Sequence, residues 1–181
     1  MASAFQSAFA GLKKYTKKIT HTETPLEKNL REATSNENWG VANSVLIDIA
    51  RCTHDFNDYY LIMSTVWSAI GDKKEKWRRI FKGLNLLDYL LKFGSERVVD
   101  ETRDGLHRIR ALQDFQYTEE GRDKGAGIRE KSREIVGLVN NPSQLRMERD
   151  KARQGRDKYI GIGSSGQTVT TAVGAPPPGM G

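Results

Sequence analysis

The sequence predicts an all-α domain, and three observations lead to that fold class. Apolar residues recur at spacings of three and four between residues 25 and 158, and no stretch shows the sustained alternation of a strand. Signals for helix ends punctuate these runs: Thr24 followed by Pro25 marks a helix start, and Asn141-Pro142 marks a break between two helices. The connections between the runs are short, which favours helices stacked antiparallel or wound into a superhelix.

Each helix follows from its apolar stripe and its end signals. The first begins at Pro25, with Thr24 as N-cap and Glu27 three residues after the cap. The pattern then predicts helices over 41–49, 59–70, 77–93, 95–115, 128–139 and 145–158. The helix over 77–93 is apolar on more than one side, so we expect it at the centre of the fold, ending at Gly94.

Composition limits the classes of partner. The chain has 181 residues, enough for one domain, and its 29 Lys and Arg against 23 Asp and Glu give a net charge of +6. This surplus favours nucleic acid, acidic protein or an anionic membrane face as partner. A single cysteine, Cys52, excludes a disulfide framework or a cysteine-based zinc site. No run approaches the roughly 18 apolar residues of a membrane span.

Residues 1–20 have a composition of their own. They contain four lysines and no acid. On a helix, the apolar side chains occupy a sector of about 120° and the lysines lie opposite, as in a helix lying in the plane of a membrane. The residues predicted to insert are Phe5, Phe9, Leu12 and Ile19. Two alternatives remain at this point: a helix docked on the domain's own core, and a mitochondrial presequence.

A second basic cluster surrounds Trp77, at the start of the fourth predicted helix. One acid, Glu75, interrupts it, and its cations are Lys73, Lys74, Lys76, Arg78, Arg79 and Lys82. The N-terminus of a helix already presents free N–H groups and positive potential, so added cations favour a phosphate site. The alternative is a solvated helix face.

One stretch resembles a known family closely. Residues 31–40 read REATSNENWG and resemble the signature of the epsin N-terminal homology (ENTH) domain. Further matches follow in order, at 76–79, 90–98, 112–117, 121–125, 128–131 and 145–149. The resemblance runs from about Lys13 to Lys158.

The resemblance implies a superhelical, solenoid-like stack of about seven or eight helices that binds phosphoinositide headgroups during clathrin-coat formation. It also implies an additional N-terminal amphipathic helix that folds on lipid and inserts. We therefore expect residues 1–20 to be this lipid-inserting helix, 21–158 the ENTH domain, and 159–181 a flexible linker or tail.

Carried over position by position, the resemblance names the residues of the headgroup pocket. They are Lys14, Lys17, Arg31, Asn36, Arg79 and Lys82, with Lys74 and Lys76 flanking them. Two positions depart from the family: Ala69 stands where an arginine is expected and Glu75 where a lysine is expected. Loss of an arginine removes a bidentate phosphate contact, so the headgroup preference is open.

The run at 157–161, DKYIG, is similar to epsin-related proteins of the trans-Golgi network and endosomes, a branch that tends to prefer phosphatidylinositol 4-phosphate. It favours that branch over a plasma-membrane epsin that binds the 4,5-bisphosphate. The family resemblance also implies clathrin and adaptor proteins as partners, through a tail beyond these residues, and SNARE proteins as possible cargo.

Other chemistry has no support in the sequence. The three histidines lack metal-ligand spacing, and no phosphate-binding loop or nucleophile elbow occurs, so we expect no enzyme, metal or cofactor. Nucleic-acid binding would need stacking aromatics along an exposed basic groove. We expect Trp39, Trp67 and Trp77 to lie on helical core stripes instead, and no nucleic-acid partner.

Overall fold

Eight α-helices make up most of residues 22–163, the part of the chain that the computed structural model describes (side chains are described to residue 155). They are α1 (Pro25–Ala33), α2 (Asn43–Cys52), α3 (Phe56–Ile70), α4 (Trp77–Phe93), α5 (Glu96–Asp104), α6 (Leu106–Ala111), α7 (Ala126–Asn140) and α8 (Pro142–Gly163). The predicted all-α fold is confirmed. The amphipathic helix expected over residues 1–20 and the tail after 163 lie outside the described residues.

Helix α4 is the centre of the stack, as its apolar composition predicts. It packs against α1, α2, α3, α5, α7 and α8. Leu84, Leu87, Leu90 and Leu91 of this helix are completely buried. It ends at Gly94 as expected, although Gly94 has an extended backbone with φ −85° and not a left-handed one. A Cβ at this position would lie 2.6 Å from the carbonyl oxygen of Leu90, so glycine is required here for space.

The helix predicted over 95–115 is wrong as a single element. It is broken at Gly105 into α5 and α6, and a short 3₁₀ helix, Leu112–Asp114, follows. The break brings Gly105 against the indole of Trp67, where a Cβ would lie 2.6 Å from the ring. Glycine at the break is therefore required by a contact with α3, about 40 residues away in sequence, which local periodicity does not show.

A small antiparallel hairpin, β1 (Thr118–Glu119) and β2 (Arg122–Asp123), lies between the helices predicted over 95–115 and 128–139, where the sequence predicts no element. Its two turn residues, Glu120 and Gly121, have φ of 51° and 72°. Two successive positive φ values are typical of the tight turns that join twisted strands. The strands are two residues each, too short to produce an alternating pattern.

The ends of the first and last helices show how local signals set boundaries. At α1, Thr24 accepts from the N–H of Glu27 and Glu27 accepts from the N–H of Thr24, which confirms the predicted cap. Helix α8 begins at Pro142, three residues before the predicted start at 145 and directly after the predicted break, and Asn141 accepts from the N–H of Gln144. Helix α8 continues to Gly163, past the predicted end at 158.

Three elements meet at one end of the stack: the turn after α1, the last turn of α3 and the first turns of α4. A short 3₁₀ helix, Lys74–Lys76, leads directly into α4 and places the second basic cluster at this junction. Among the described helices, none is long and apolar enough to cross a membrane.

Candidate functional site

The first turns of α4 are tied to the turn that follows α1. Arg79 donates to the carbonyl oxygen of Thr34 at 3.4 Å, and Lys82 donates to the hydroxyl of Ser35 at 2.8 Å. The next residue, Asn36, is exposed, and Arg31 is in the last turn of α1. The structure therefore holds Arg79 and Lys82 against the turn after α1, 45 or more positions away in sequence, and Arg31 and Asn36 belong to the last turn of α1 and to that following turn. We call these four residues the α1-end cluster.

Arg31 has an internal anionic partner. Its Nε and Nη2 atoms donate to the two carboxylate oxygens of Glu23 at 2.8 and 3.0 Å. This hydrogen-bonded pair raises the pKa of Arg31 and lowers the pKa of Glu23. The pair is exposed, so water and salt screen it and an incoming anion can compete with Glu23 for the guanidinium.

Arg79 also faces an acid. Its Nε lies 2.8 Å from a carboxylate oxygen of Asp72, at an angle that does not make a hydrogen bond, so the attraction is between charges. Its Nη2 donates to the hydroxyl of Ser68 on α3. The pKa of Asp72 is lowered, first by the hydrogen bond from the N–H of Lys73 and then by the charges of Lys76 and Arg79. Asp72 therefore remains ionised at neutral pH and neutralises part of the positive charge of Arg79 and Lys76.

Lys82 is the most enclosed cation of the cluster. Only 9% of its surface is exposed, and burial lowers the pKa of its amine, against the opposing charges of Glu37 and Glu32. An ammonium group held in a poorly solvated position interacts strongly with an anion that reaches it. Burial of this charged amine lowers the stability of the folded domain and strengthens its interaction with a bound anion.

The flanking lysines separate in the structure. Lys76 lies 3.5 Å from Asp72 and so joins the same charged group as Arg79. Lys74 lines a cavity together with Asp72, Arg108 and Phe115. Of the two departures from the family, Ala69 is completely buried and Glu75 is exposed.

The three tryptophans do not share one environment. Trp67 is buried and Trp77 is half-buried, but Trp39 is 61% exposed, so the expectation that it lies on a core stripe is wrong. Residues 35–42 connect α1 to α2 and are not helical, which means that no helical face is available to bury Trp39. Its ring lies 6.0 Å from the amine of Lys82.

Sequence reasoning missed the two acids that neutralise the cluster, Glu23 and Asp72. Asp72 had a local signal, since it stands four positions before Lys76, the spacing of a helical ion pair. Glu23 pairs with Arg31 across eight positions, a spacing that no simple pattern predicts. Lys14, Lys17 and the four predicted inserting residues lie outside the described part of the chain.

Several hydrogen-bond donors and positive charges are thus gathered at the α1-end cluster. Arginine and lysine donors at such spacing hold anions with several oxygens, above all phosphates. Within residues 22–163, no group of three or more His, Cys, Asp or Glu side chains could hold a metal ion. The arrangement is suited to holding a polyanion.

Comparison with known proteins agrees with this reading. The model of the ENTH domain family matches residues 23–145. A curated relative, "Clathrin interactor EPSIN 2" of Arabidopsis thaliana, is 38% identical over 160 residues, which cover 88% of this chain and 18% of the relative. Other curated relatives are likewise much longer, with about a third or less of their length matched.

Two solved structures are similar over most of their own length. The ENTH domain of human epsinR has a TM-score of 0.69 and 36% identity, covering 74% of this chain and 99% of that one. The ENTH domain of epsin-2, solved in complex with phosphatidylinositol 4,5-bisphosphate, has a TM-score of 0.70 and 33% identity, covering 76% of this chain and 97% of that one. By the matched model, the helical stack and these neighbours, the chain belongs to the ENTH domain family.

Proposed function

We propose that this chain is a phosphoinositide-binding, curvature-promoting adaptor domain that acts in clathrin-mediated vesicle formation. The observation that carries the proposal is the α1-end cluster, in which Arg79 and Lys82 of α4 are held against the turn that also carries Asn36. The related domain of epsin-2 was solved with a phosphoinositide, which supports the same ligand class here. ENTH domains are an adaptor fold and not a known enzyme family, so we propose no catalysis.

Binding would exchange internal anions for phosphate. Arg31 leaves Glu23 and Arg79 leaves Asp72, and both guanidinium groups then contact phosphate oxygens. Because a phosphate carries more charge than a carboxylate and accepts more hydrogen bonds, this exchange is favourable. Asn36 adds an amide donor for an inositol hydroxyl or a phosphate.

Residues 1–20 supply the remaining contacts in this proposal. When they fold on the membrane, Lys14 and Lys17 complete the headgroup site. Phe5, Phe9, Leu12 and Ile19 enter the leaflet and displace lipid on one side, which promotes curvature. The lysines opposite the apolar face add about 1 kcal/mol each near an anionic surface.

For the compartment, we propose the trans-Golgi network and endosomes, with phosphatidylinositol 4-phosphate as the preferred lipid. Ala69 and Glu75 each remove a cation expected in the family, which favours a headgroup with fewer phosphates. The run at 157–161 supports the same branch. The second candidate is a plasma-membrane epsin, favoured by the bisphosphate complex of a similar domain.

Clathrin and adaptor proteins are the proposed coat partners, reached through sequence beyond this domain, as the name of the plant relative suggests. SNARE cargo is a further proposed partner. A basic helical domain that binds nucleic acid is the remote alternative, favoured only by the charge of +6.

Cosedimentation with vesicles tests the lipid proposal. We expect the chain to pellet with vesicles containing phosphatidylinositol 4-phosphate or the 4,5-bisphosphate, and to remain soluble with phosphatidylserine vesicles of equal charge. Arg79→Ala should lose binding, and the control Arg103→Ala, whose guanidinium pairs with Asp100 on α5, should retain it. Equal pelleting with all anionic vesicles, or a stronger shift of duplex DNA, would contradict the proposal.

Residues 1–20 need separate tests. Leu12→Glu should abolish vesicle tubulation and spare binding of a soluble inositol phosphate; unchanged tubulation would refute the wedge. Circular dichroism should show helix gained when phosphoinositide vesicles are added. A spectrum that does not change would refute folding coupled to lipid.

A further inference from the structure

Trp39 is a large apolar ring left in solvent beside the α1-end cluster. Among the described residues, the other large exposed hydrophobic side chains are Phe56, Tyr60, Leu61 and Met147. Phe56 and Tyr60 lie in the first turns of α3, whereas Ser68, which contacts Arg79, lies in its last turns. Unlike Phe56 and Tyr60, Trp39 lies next to a residue proposed to hold the headgroup, Lys82.

The distance to Lys82 limits how far the ring can lie from a bound headgroup. The amine of Lys82 lies 6.0 Å from the centre of the Trp39 ring. A phosphate oxygen held by this amine would be about 2.8 Å from it, so the ring centre would lie at most about 9 Å from that oxygen. The polar interfacial layer of a leaflet is about 5–8 Å thick, so the ring is close enough to reach this layer.

The surface behind the ring is suited to the same layer. A cavity of about 410 Å³ opens there, with Trp39 and Trp77 among its walls and apolar side chains of Val41, Phe81 and Leu86 lining it. Glu37 is also on the cavity, and the charge of Lys82 offsets it.

The interfacial layer of a bilayer suits this surface. It has mixed polar and apolar character, and tryptophan rings concentrate there in membrane proteins. A protein partner could also cover an exposed tryptophan. The continuity of this surface with Lys82 favours the bilayer, since a headgroup held there leaves the ring against the membrane.

We propose that Trp39 is a second membrane anchor, held by the folded domain, which enters the interfacial layer beside the lipid headgroup bound at Lys82. The proposal rests on the proposed function and adds to it a contact separate from residues 1–20. The wedge at 1–20 is expected to fold on lipid, whereas Trp39 is placed before lipid arrives.

Fluorescence quenching tests the depth of the ring. The full chain would be mixed with phosphatidylinositol 4-phosphate vesicles whose neutral lipid is brominated on the acyl chain near the ester, or is unbrominated. We expect brominated lipid to quench the emission of the vesicle-bound wild-type chain. The Trp39→Phe variant, which keeps an aromatic ring but removes this fluorophore, should show most of that quenching lost.

Affinity provides the second measurement. Trp39→Ala should weaken vesicle binding by roughly tenfold, a fraction of the full burial of an aromatic ring, and should leave affinity for a soluble inositol phosphate unchanged. The matched control is Tyr60→Ala, because Tyr60 is 57% exposed and lies at the other end of α3. Its vesicle affinity should equal that of wild type.

The outcomes separate the two proposals. If the wild-type chain pellets with phosphoinositide vesicles and brominated lipid quenches wild type and Trp39→Phe equally, the anchor is refuted and the headgroup site stands. If Trp39→Ala binds vesicles as wild type does, the anchor is also refuted. If wild type ignores phosphoinositide vesicles, the proposed function fails and the anchor fails with it.

Discussion

At the scale of single residues, the α1-end cluster combines cations with the acids that neutralise them in the free domain. Arg31 faces Glu23, and Arg79 faces Asp72. Such acids compete with incoming anions for the guanidinium groups. A weakly binding anion does not displace them, so the surface favours a ligand that binds the cations more strongly. The acids are therefore part of the selectivity of the proposed site.

Asp72→Asn should raise affinity for phosphoinositide vesicles by about threefold, because a partly exposed ion pair with Arg79 no longer competes with phosphate. Asparagine keeps the oxygen that accepts from the N–H of Lys73, so the turn should persist. Vesicle titration measures the change. Asp100→Asn, at an exposed position on α5, is the control and should have no effect; unchanged or weaker binding by Asp72→Asn would assign Asp72 a purely structural role.

Lys82→Met should reduce phosphoinositide affinity by at least about tenfold, since a charge-assisted hydrogen bond is lost. The melting temperature should not fall, because burial already lowers the pKa of this amine and methionine fills the same space without a charge. Lys92→Met on the same helix, whose amine pairs with Asp88, serves as control for binding. A large loss of melting temperature with Lys82→Met would instead show that Lys82 holds the fold.

At the scale of elements, the break between α5 and α6 positions α3. The indole of Trp67 packs against Gly105, and its Nε1 donates to Glu101 of α5 at 2.9 Å. Tyr59, at the other end of α3, also bonds to Glu101, at 2.7 Å. Glu101 thereby ties two turns of α3 to α5, and the last turn of α3 carries Ser68, which contacts Arg79.

Gly105→Ala should destabilise the domain by about 1–3 kcal/mol, since its Cβ would overlap the Trp67 ring. Gly137→Ala is the matched control, because Gly137 is exposed inside α7 with nothing near its Cβ position. That change should stabilise by about 0.5–1 kcal/mol. Urea unfolding followed by circular dichroism measures both. Equal effects of the two alanines would show that the Trp67 contact is not tight.

At the scale of the whole molecule, three carboxylates set the response to acid. The pKa of Glu23 is lowered chiefly by the side chain of Arg31, that of Asp72 by the N–H of Lys73, and that of Asp123 by the side chain of Arg129. A pKa that is lower in the folded state than in the unfolded chain means that folding favours the ionised form. Its contribution is present above the unfolded value and is lost as pH falls through the folded one.

We therefore expect the free energy of unfolding to stay level between pH 7 and about 5 and to decline below about pH 4, where these carboxylates take up protons. Urea unfolding at stepped pH checks this. A decline that begins between pH 7 and 5 would contradict the assignment to these three carboxylates.

The sequence by itself determined the fold class, most of the helices and the family. Periodicity predicted α4 to the residue, the Thr24 cap predicted the start of α1, and the REATSNENWG run identified the ENTH domain. These features depend on neighbours within a few positions, so a linear pattern records them.

Tertiary structure decided the rest. The contact with Trp67 requires glycine at the break between α5 and α6. Glu23 and Asp72 neutralise the α1-end cluster. Trp39 is in solvent, although its residue type suggested the core. These contacts depend on residues that folding brings together. Glu23 and Arg31 are 8 positions apart in sequence, and Trp67 and Gly105 are 38 positions apart. Local periodicity shows which side of a helix is apolar. The shape and charge of the residues that pack against that side are set by segments distant in sequence.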